Sequence, residues 1–113
     1  MTRRINLQAI TGAERHQAIE ALREAITDAG GWIVDFRLFS NLALSVIIEI
    51  GPPGLTRLIE RLDRIEISLT EESRRSVPVP PPAPTDEEIR VLFNLTFRGG
   101  DGELRLPIPA IPG

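Results

Sequence analysis

The side chains in this sequence that could do chemistry are few and scattered. There is one histidine, and there is no cysteine and no tyrosine. Without cysteine, disulfides, cysteine-ligated zinc, iron–sulfur clusters and thiol nucleophiles are excluded. His16 has no second histidine with which to build a metal site, and nothing marks it as the base of a catalytic triad. Glu20 and Glu24 stand four residues apart. On a helix that spacing stacks two like charges on one face, which reads as solvated surface rather than an acid/base pair. No GxxxxGK[ST] or GxGxxG string occurs. Gly99-Gly100-Asp101-Gly102 sits between two strand-like segments, so a phosphate there would have no helix N-terminus to use. The supply of general acids, bases and nucleophiles is thin. The sequence reads as non-catalytic, with no metal and no cofactor.

Composition narrows the partners. A net charge of −3 argues against nucleic acid, which rewards clustered positive charge. Arg3-Arg4 and Arg74-Arg75 read as solvated surface. The 113 residues suit one domain with a modest core, and oligomerisation is a natural way for such a domain to gain stability. No apolar run approaches the ~18 residues of a membrane span, and no basic start leads into an apolar segment. The expectation is a cytoplasmic protein with no membrane segment and no signal peptide.

The elements that must position any site can be read from periodicity. Residues Arg4 to Thr11 alternate, with Ile5, Leu7 and Ala9 on one face, as in a half-buried strand. From Ala13 to Ala29 the period lengthens. Ala18, Ile19, Leu22, Ala25, Ile26 and Ala29 make one face of an amphipathic helix of about four turns. Thr11 stands three residues before Glu14, a capping-box spacing, and Gly30-Gly31 is a helix stop. Gly30 to Gly51 then reads as a hairpin. Trp32, Val34, Phe36 and Leu38 share the core face with Leu42, Leu44, Val46, Ile48 and Ile50, and Phe39-Ser40-Asn41 forms the loop. Pairing even with even leaves Ile33 opposite Ile47 on the outer face.

Gly51-Pro52-Pro53-Gly54 breaks the strand, Leu55 to Leu62 is a second helix, and Ile65, Ile67 and Leu69 alternate as a fourth strand. The stretch from Ser73 to Thr85 holds Pro78, Pro80, Pro81, Pro82 and Pro84, and is expected to be a stiff extended spacer. Ile89 to Phe97 and Leu104 to Ile108 alternate around the glycine loop as a C-terminal hairpin, with Pro107 restricting the last segment to an edge. The tail to Gly113 is short and apolar. The order β-α-β-β-α-β through residue 72 implies an α+β fold of the ferredoxin-like kind, a four-stranded antiparallel sheet with two helices on one face. The expected division is a core over 1–72, a spacer over 73–85, and a hairpin over 86–113 packed on the core or on a partner subunit.

Two short strings carry a family resemblance. Gly12-Ala13-Glu14-Arg15-His16-Gln17 follows the first strand, and Gly30-Gly31-Trp32-Ile33 opens the second. In this arrangement residues 4 to 72 resemble the ACT domain, a small regulatory module of amino-acid metabolism, and look most like its stand-alone glycine-cleavage-repressor kind. Glu14-Arg15 stands in place of the family's Asp-Arg. Gln17 replaces its close-approach glycine, and Trp32 replaces its asparagine. The resemblance implies a homodimer formed edge to edge and an amino acid or similar small effector. It places that ligand around Gly12, Ala13, Glu14, Arg15, Gly31 and Trp32. The alternative is a protein-interaction or scaffold module with no small ligand, presenting its sheet face, its proline spacer or its tail.

Overall fold

The computed structural model describes residues 2–78 and 87–98. The elements are β1 (Thr2–Thr11), α1 (Arg15–Asp28), β2 (Trp32–Ser40), β3 (Ala43–Ile50), α2 (Pro52–Arg64), β4 (Ile67–Leu69), α3 (Glu71–Ser76) and β5 (Glu88–Phe97). The fold is α+β, and the expected β-α-β-β-α-β order holds through Leu69.

The sheet differs from the expected one. It has five strands in the order β2-β3-β5-β1-β4. β5 does not lie on the outside of a finished core; it is the central strand. It runs parallel to β1 over ten paired residues, from Thr2 opposite Glu88 to Thr11 opposite Phe97. On its other side it runs antiparallel to β3, from Ala43 opposite Thr96 to Ile50 opposite Ile89. The sheet is therefore mixed, and β1 and β3 never touch as neighbours. A strand flanked on both sides buries its inward residues completely, which suits Ile89, Val91, Phe93 and Leu95, all fully buried. The second strand of the expected hairpin, its glycine loop and the tail lie outside the described residues.

One face of the sheet carries the core. Leu7 and Ala9 from β1, Leu44, Val46, Ile48 and Ile50 from β3, and the odd residues of β5 form one cluster with α1 and α2. α1 supplies Ala18, Leu22, Ala25 and Ile26; α2 supplies Leu55, Leu58 and Leu62. The outer face carries a hydrogen-bonded run of polar side chains. There the Ser45 hydroxyl donates to Asn94 Oδ1, and Asn94 Nδ2 donates to Asn6 Oδ1 at 3.1 Å.

Four local expectations are corrected. The N-cap of α1 is Glu14, not Thr11. Thr11 is buried and already committed: its hydroxyl donates to the Glu66 carbonyl at 2.8 Å and accepts from Ala13 N–H at 3.1 Å. Pro52 and Pro53 end β3 but also begin α2, because a proline in the first turn sacrifices no helical hydrogen bond. Ser73–Ser76 belong to α3 rather than to an extended spacer. Thr70 caps that helix by accepting from Ser73 N–H at 3.2 Å, and the first proline comes only at Pro78.

The fourth correction concerns the hairpin. The observed register pairs Trp32 with Glu49, Ile33 with Ile48, Phe36 with Val46 and Leu38 with Leu44, with irregularities between Ile33 and Asp35 and between Leu38 and Ser40. An extra residue in one strand reverses which face the following side chains take. Trp32 is thus on the outer face, 66% exposed, while Ile33 packs against the core. The expected outward Ile33–Ile47 pair does not form. The helix stop at Gly30 is as expected. Gly30 has φ +87, its N–H donates to Thr27 O and Gly31 N–H donates to Ile26 O, the bond pattern of a left-handed helix terminus.

Candidate functional site

The residues named by the resemblance fall into two groups at opposite ends of the sheet. Gly12, Ala13, Glu14 and Arg15 connect the C-terminal end of β1 to α1. Gly31 and Trp32 lie beyond the other end of α1, a helix of 14 residues. At the α-helical rise that is about 20 Å away. The structure does not bring the two groups together within one chain.

The first group is internally satisfied. The Glu14 carboxylate accepts from His16 N–H at 2.9 Å and from Gln17 N–H at 3.1 Å. A carboxylate of the chain itself thus already occupies the helix N-terminus, an end that favours negative charge. These two backbone bonds, helped by His16, hold the Glu14 carboxyl below the usual carboxylate range. The Arg15 guanidinium donates to Asn41 Oδ1 and ties this loop to the β2–β3 turn. Gly12 faces open space: a Cβ there would meet nothing within 4 Å.

A folded carboxyl with a lowered pKa stabilises the fold above its unfolded pKa. That stability is lost as pH falls through the folded value. Glu14→Gln is therefore expected to lower the urea midpoint at neutral pH, and the gap from wild type is expected to close as both are acidified below the ordinary carboxylate range. Urea titrations at stepped pH measure it; a gap that persists in acid would show that the Glu14 charge contributes nothing.

The second group is part of an exposed cluster. Trp32 Nε1 donates to Glu49 Oε1 at 3.3 Å, and Arg90 donates to Glu49 Oε2. Those bonds, the Arg90 one foremost, lower the Glu49 pKa. Gly31 is pressed against Ile50, whose side-chain carbons would lie 3.0 to 3.1 Å from a Cβ. Gly31 is thus a packing glycine rather than an open approach for ligand.

Clefts lined by described residues lie elsewhere, two of them with polar walls. One of about 200 Å³ lies between α1 and α2 beside Asp28, Arg57, Arg61 and Arg64. Its charges are largely spent within the chain, because Arg61 pairs with Asp28 at 2.9 Å and Arg57 donates to the Ala29 carbonyl at 3.1 Å. The other, about 320 Å³, lies on the outer face beside Asn6, Gln8, Glu72, Ser73 and Ser76. Neither includes a residue from the two groups.

The feature the sequence reading missed is the edge strand β2, which among the described residues pairs on one side only. Among the described residues, Trp32, Val34, Phe36, Leu38, Phe39, Leu42 and Leu92 are the large apolar side chains left exposed. All but Leu92 belong to β2 or the turn after it, so the unpartnered apolar surface is concentrated on one edge strand. The opposite edge is guarded. β4 is only three residues long, and beyond it α3 closes the rim of β1: Gln8 N–H donates to Ser73 Oγ at 2.7 Å, and Thr70 N–H donates to Gln8 O at 2.9 Å. A signal for the free edge was present in the sequence. Trp32, Ile33, Val34, Phe36, Leu38 and Phe39 are apolar at both parities, which a strand with one buried face does not need.

No family model, curated protein or solved structure matches the chain.

Proposed function

We propose that this chain is a non-catalytic, homodimeric interaction module that associates through the free edge of β2. One observation carries the reading: a nine-residue edge strand leaves apolar side chains in water on both of its sides, while the other edge is closed by α3. Natural proteins blunt exposed edges with charge, proline or a covering element; a long apolar edge left bare is a template for pairing. The frame is read as ACT-like with an inserted strand. In support, setting β5 aside leaves the order β2-β3-β1-β4 with directions alternating throughout, as the strand pairings require.

The test is Leu38→Lys. A charged residue on the edge is expected to convert a dimer into a monomer in light scattering after gel filtration, with the far-UV circular dichroism unchanged. Association that survives this change, and matching changes at Phe36 and Phe39, would overturn the reading.

A small-effector role for Gly12, Ala13, Glu14, Arg15, Gly31 and Trp32 is a second reading, and the geometry favours it only within such a dimer. Antiparallel pairing of two β2 strands would bring the partner's Trp32 next to Ser40, at the end of the sheet where Arg15 meets Asn41.

A further inference from the structure

The free edge also carries a charge pattern that can specify a register. Asp35 and Arg37 are the charged residues of β2, and they stand two apart with Phe36 between them. Their β3 partners, Ile47 and Ser45, belong to the outer face; Phe36 and Leu38 sit opposite the buried Val46 and Leu44. Within one chain Arg37 Nε lies 3.2 Å from Asp35 Oδ2, in an exposed pair. An opposite-charge pair flanking an aromatic residue is self-complementary about that residue.

We infer that a second copy of this chain is the occupant of the β2 edge, and that the two β2 strands pair antiparallel with the two-fold axis at Phe36. This rests on the self-association proposed above. In this register each Asp35 faces the partner's Arg37, each Arg37 faces the partner's Asp35, Phe36 faces the partner's Phe36, and Leu38 faces the partner's Val34. The result is a continuous ten-stranded sheet with four alternating charges on its outer face and the two phenylalanines on the helix side.

The alternatives fail on charge or on the facing of their side chains. A parallel two-fold pairing is excluded, because an axis along the strands turns one sheet over and puts the two copies of each side chain on opposite faces. An antiparallel axis at Asp35 or at Arg37 sets one of these residues against its own copy and leaves the other facing an apolar residue. Registers shifted by one residue would place a side chain opposite one from the other face of the sheet. Directly opposed like charges destabilise a ladder by about as much as opposite charges stabilise it. Among two-fold pairings centred in the regular stretch of β2, only the axis at Phe36 satisfies both charges.

Two experiments test the register. Asp35→Arg alone and Arg37→Asp alone each put like charges opposite one another at two symmetric positions. Each is expected to weaken dimerisation by about tenfold, and the double variant D35R/R37D is expected to restore it. Because the chain has no cysteine, Phe36→Cys introduces the only thiol. Cα atoms directly opposite in an antiparallel ladder lie about 4.5 or 5.5 Å apart, and both distances suit a disulfide. Oxidised Phe36→Cys is therefore expected to run as a covalent dimer, while Arg37→Cys, opposite the partner's Asp35, is expected to remain largely uncrosslinked.

A wild-type dimer whose double variant is not rescued, and in which residue 36 does not crosslink, would overturn the register while leaving self-association intact. A wild-type chain that is monomeric at every concentration would overturn both, leaving the edge to the chain's own residues 104–108 or to a foreign strand.

Discussion

Ending the chain at Thr85 is expected to abolish cooperative folding. On the sequence alone, residues 86–113 look like an appendage whose loss would cost only a partner or an oligomer. The structure makes residues 88–97 the middle of the sheet. Removing them strips β1 of its ten-residue parallel ladder and β3 of its eight-residue antiparallel one. It also deletes Ile89, Val91, Phe93, Leu95 and Phe97 from the core. At about 1.5–3 kcal/mol for each buried side chain, the loss is on the order of 10 kcal/mol, comparable to the whole stability of a small domain. The truncated chain should show no sigmoidal urea transition by circular dichroism. Adding a peptide of residues 86–98 should bring the transition back, since the vacant slot has two hydrogen-bonding edges of defined register. A truncated chain that melts like the wild type would mean that β1 and β3 can close directly on each other.

The difference between these two readings shows what side-chain periodicity reports. The alternation in Ile89 to Phe97 correctly marks a strand with one buried face. It carries no information about which strands lie on either side, because the ladder is made by backbone groups that every residue has. The same limit explains the hairpin. Trp32 to Phe39 is apolar at both parities, so the irregularity after Ile33 leaves no trace in the pattern, and it reverses the faces of Trp32 and Ile33. Elements whose signals are local were legible: the face of α1, its stop at Gly30 and the strand nature of residues 4–11. The cap of α1 was misread because Thr11 and Glu14 both have capping chemistry. The contact that diverts Thr11, to the Glu66 carbonyl, comes from a residue 55 positions away.

The candidate site divides in the same way. Glu14 and Arg15, named for a ligand by the resemblance, both make contacts within the chain at the head of α1. Glu14 caps the helix and Arg15 holds the β2–β3 turn. Phe36 and Leu38 were placed in the core by their parity, and their parity is right: they share the helix side with Val46 and Leu44. They remain 37% and 48% exposed because β2 is an edge strand, paired with β3 alone among the described strands. Parity gives the face and topology gives the cover, and only the first is written locally. Among the described residues the two edges are asymmetric: α3 lies over one, and β2 forms the other with no further strand beside it.

Gly54→Ala is expected to be the most damaging glycine-to-alanine change among the described residues. Intrinsic helix propensity argues the other way, since alanine is favoured over glycine by about 1 kcal/mol inside a helix. Gly54 lies in the first turn of α2, where that helix meets the C-terminal end of α1. A Cβ at this position would stand 2.9 Å from Ile50 Cγ1 and closer still to the Ala29 carbonyl oxygen. The isoleucine could turn aside, but the carbonyl cannot. Ala29 is the C-cap of α1, its N–H is bonded to Ala25 O, and its carbonyl accepts from Arg57 at 3.1 Å. α2 must therefore withdraw as a body, loosening the buried contacts of Leu55 and Leu58. The net cost is about 3 kcal/mol, with sterics outweighing propensity, and the melting temperature should fall by roughly 10–15 °C. Gly12→Ala is the matched control, because its Cβ meets open space. Calorimetry on the two variants separates the causes. A large loss at residue 54 with almost none at residue 12 assigns the effect to the packing of α2 on α1. Equal small losses would mean that α2 can slide along the core without cost, and the close approach of the two helices would then not be a determinant of this fold.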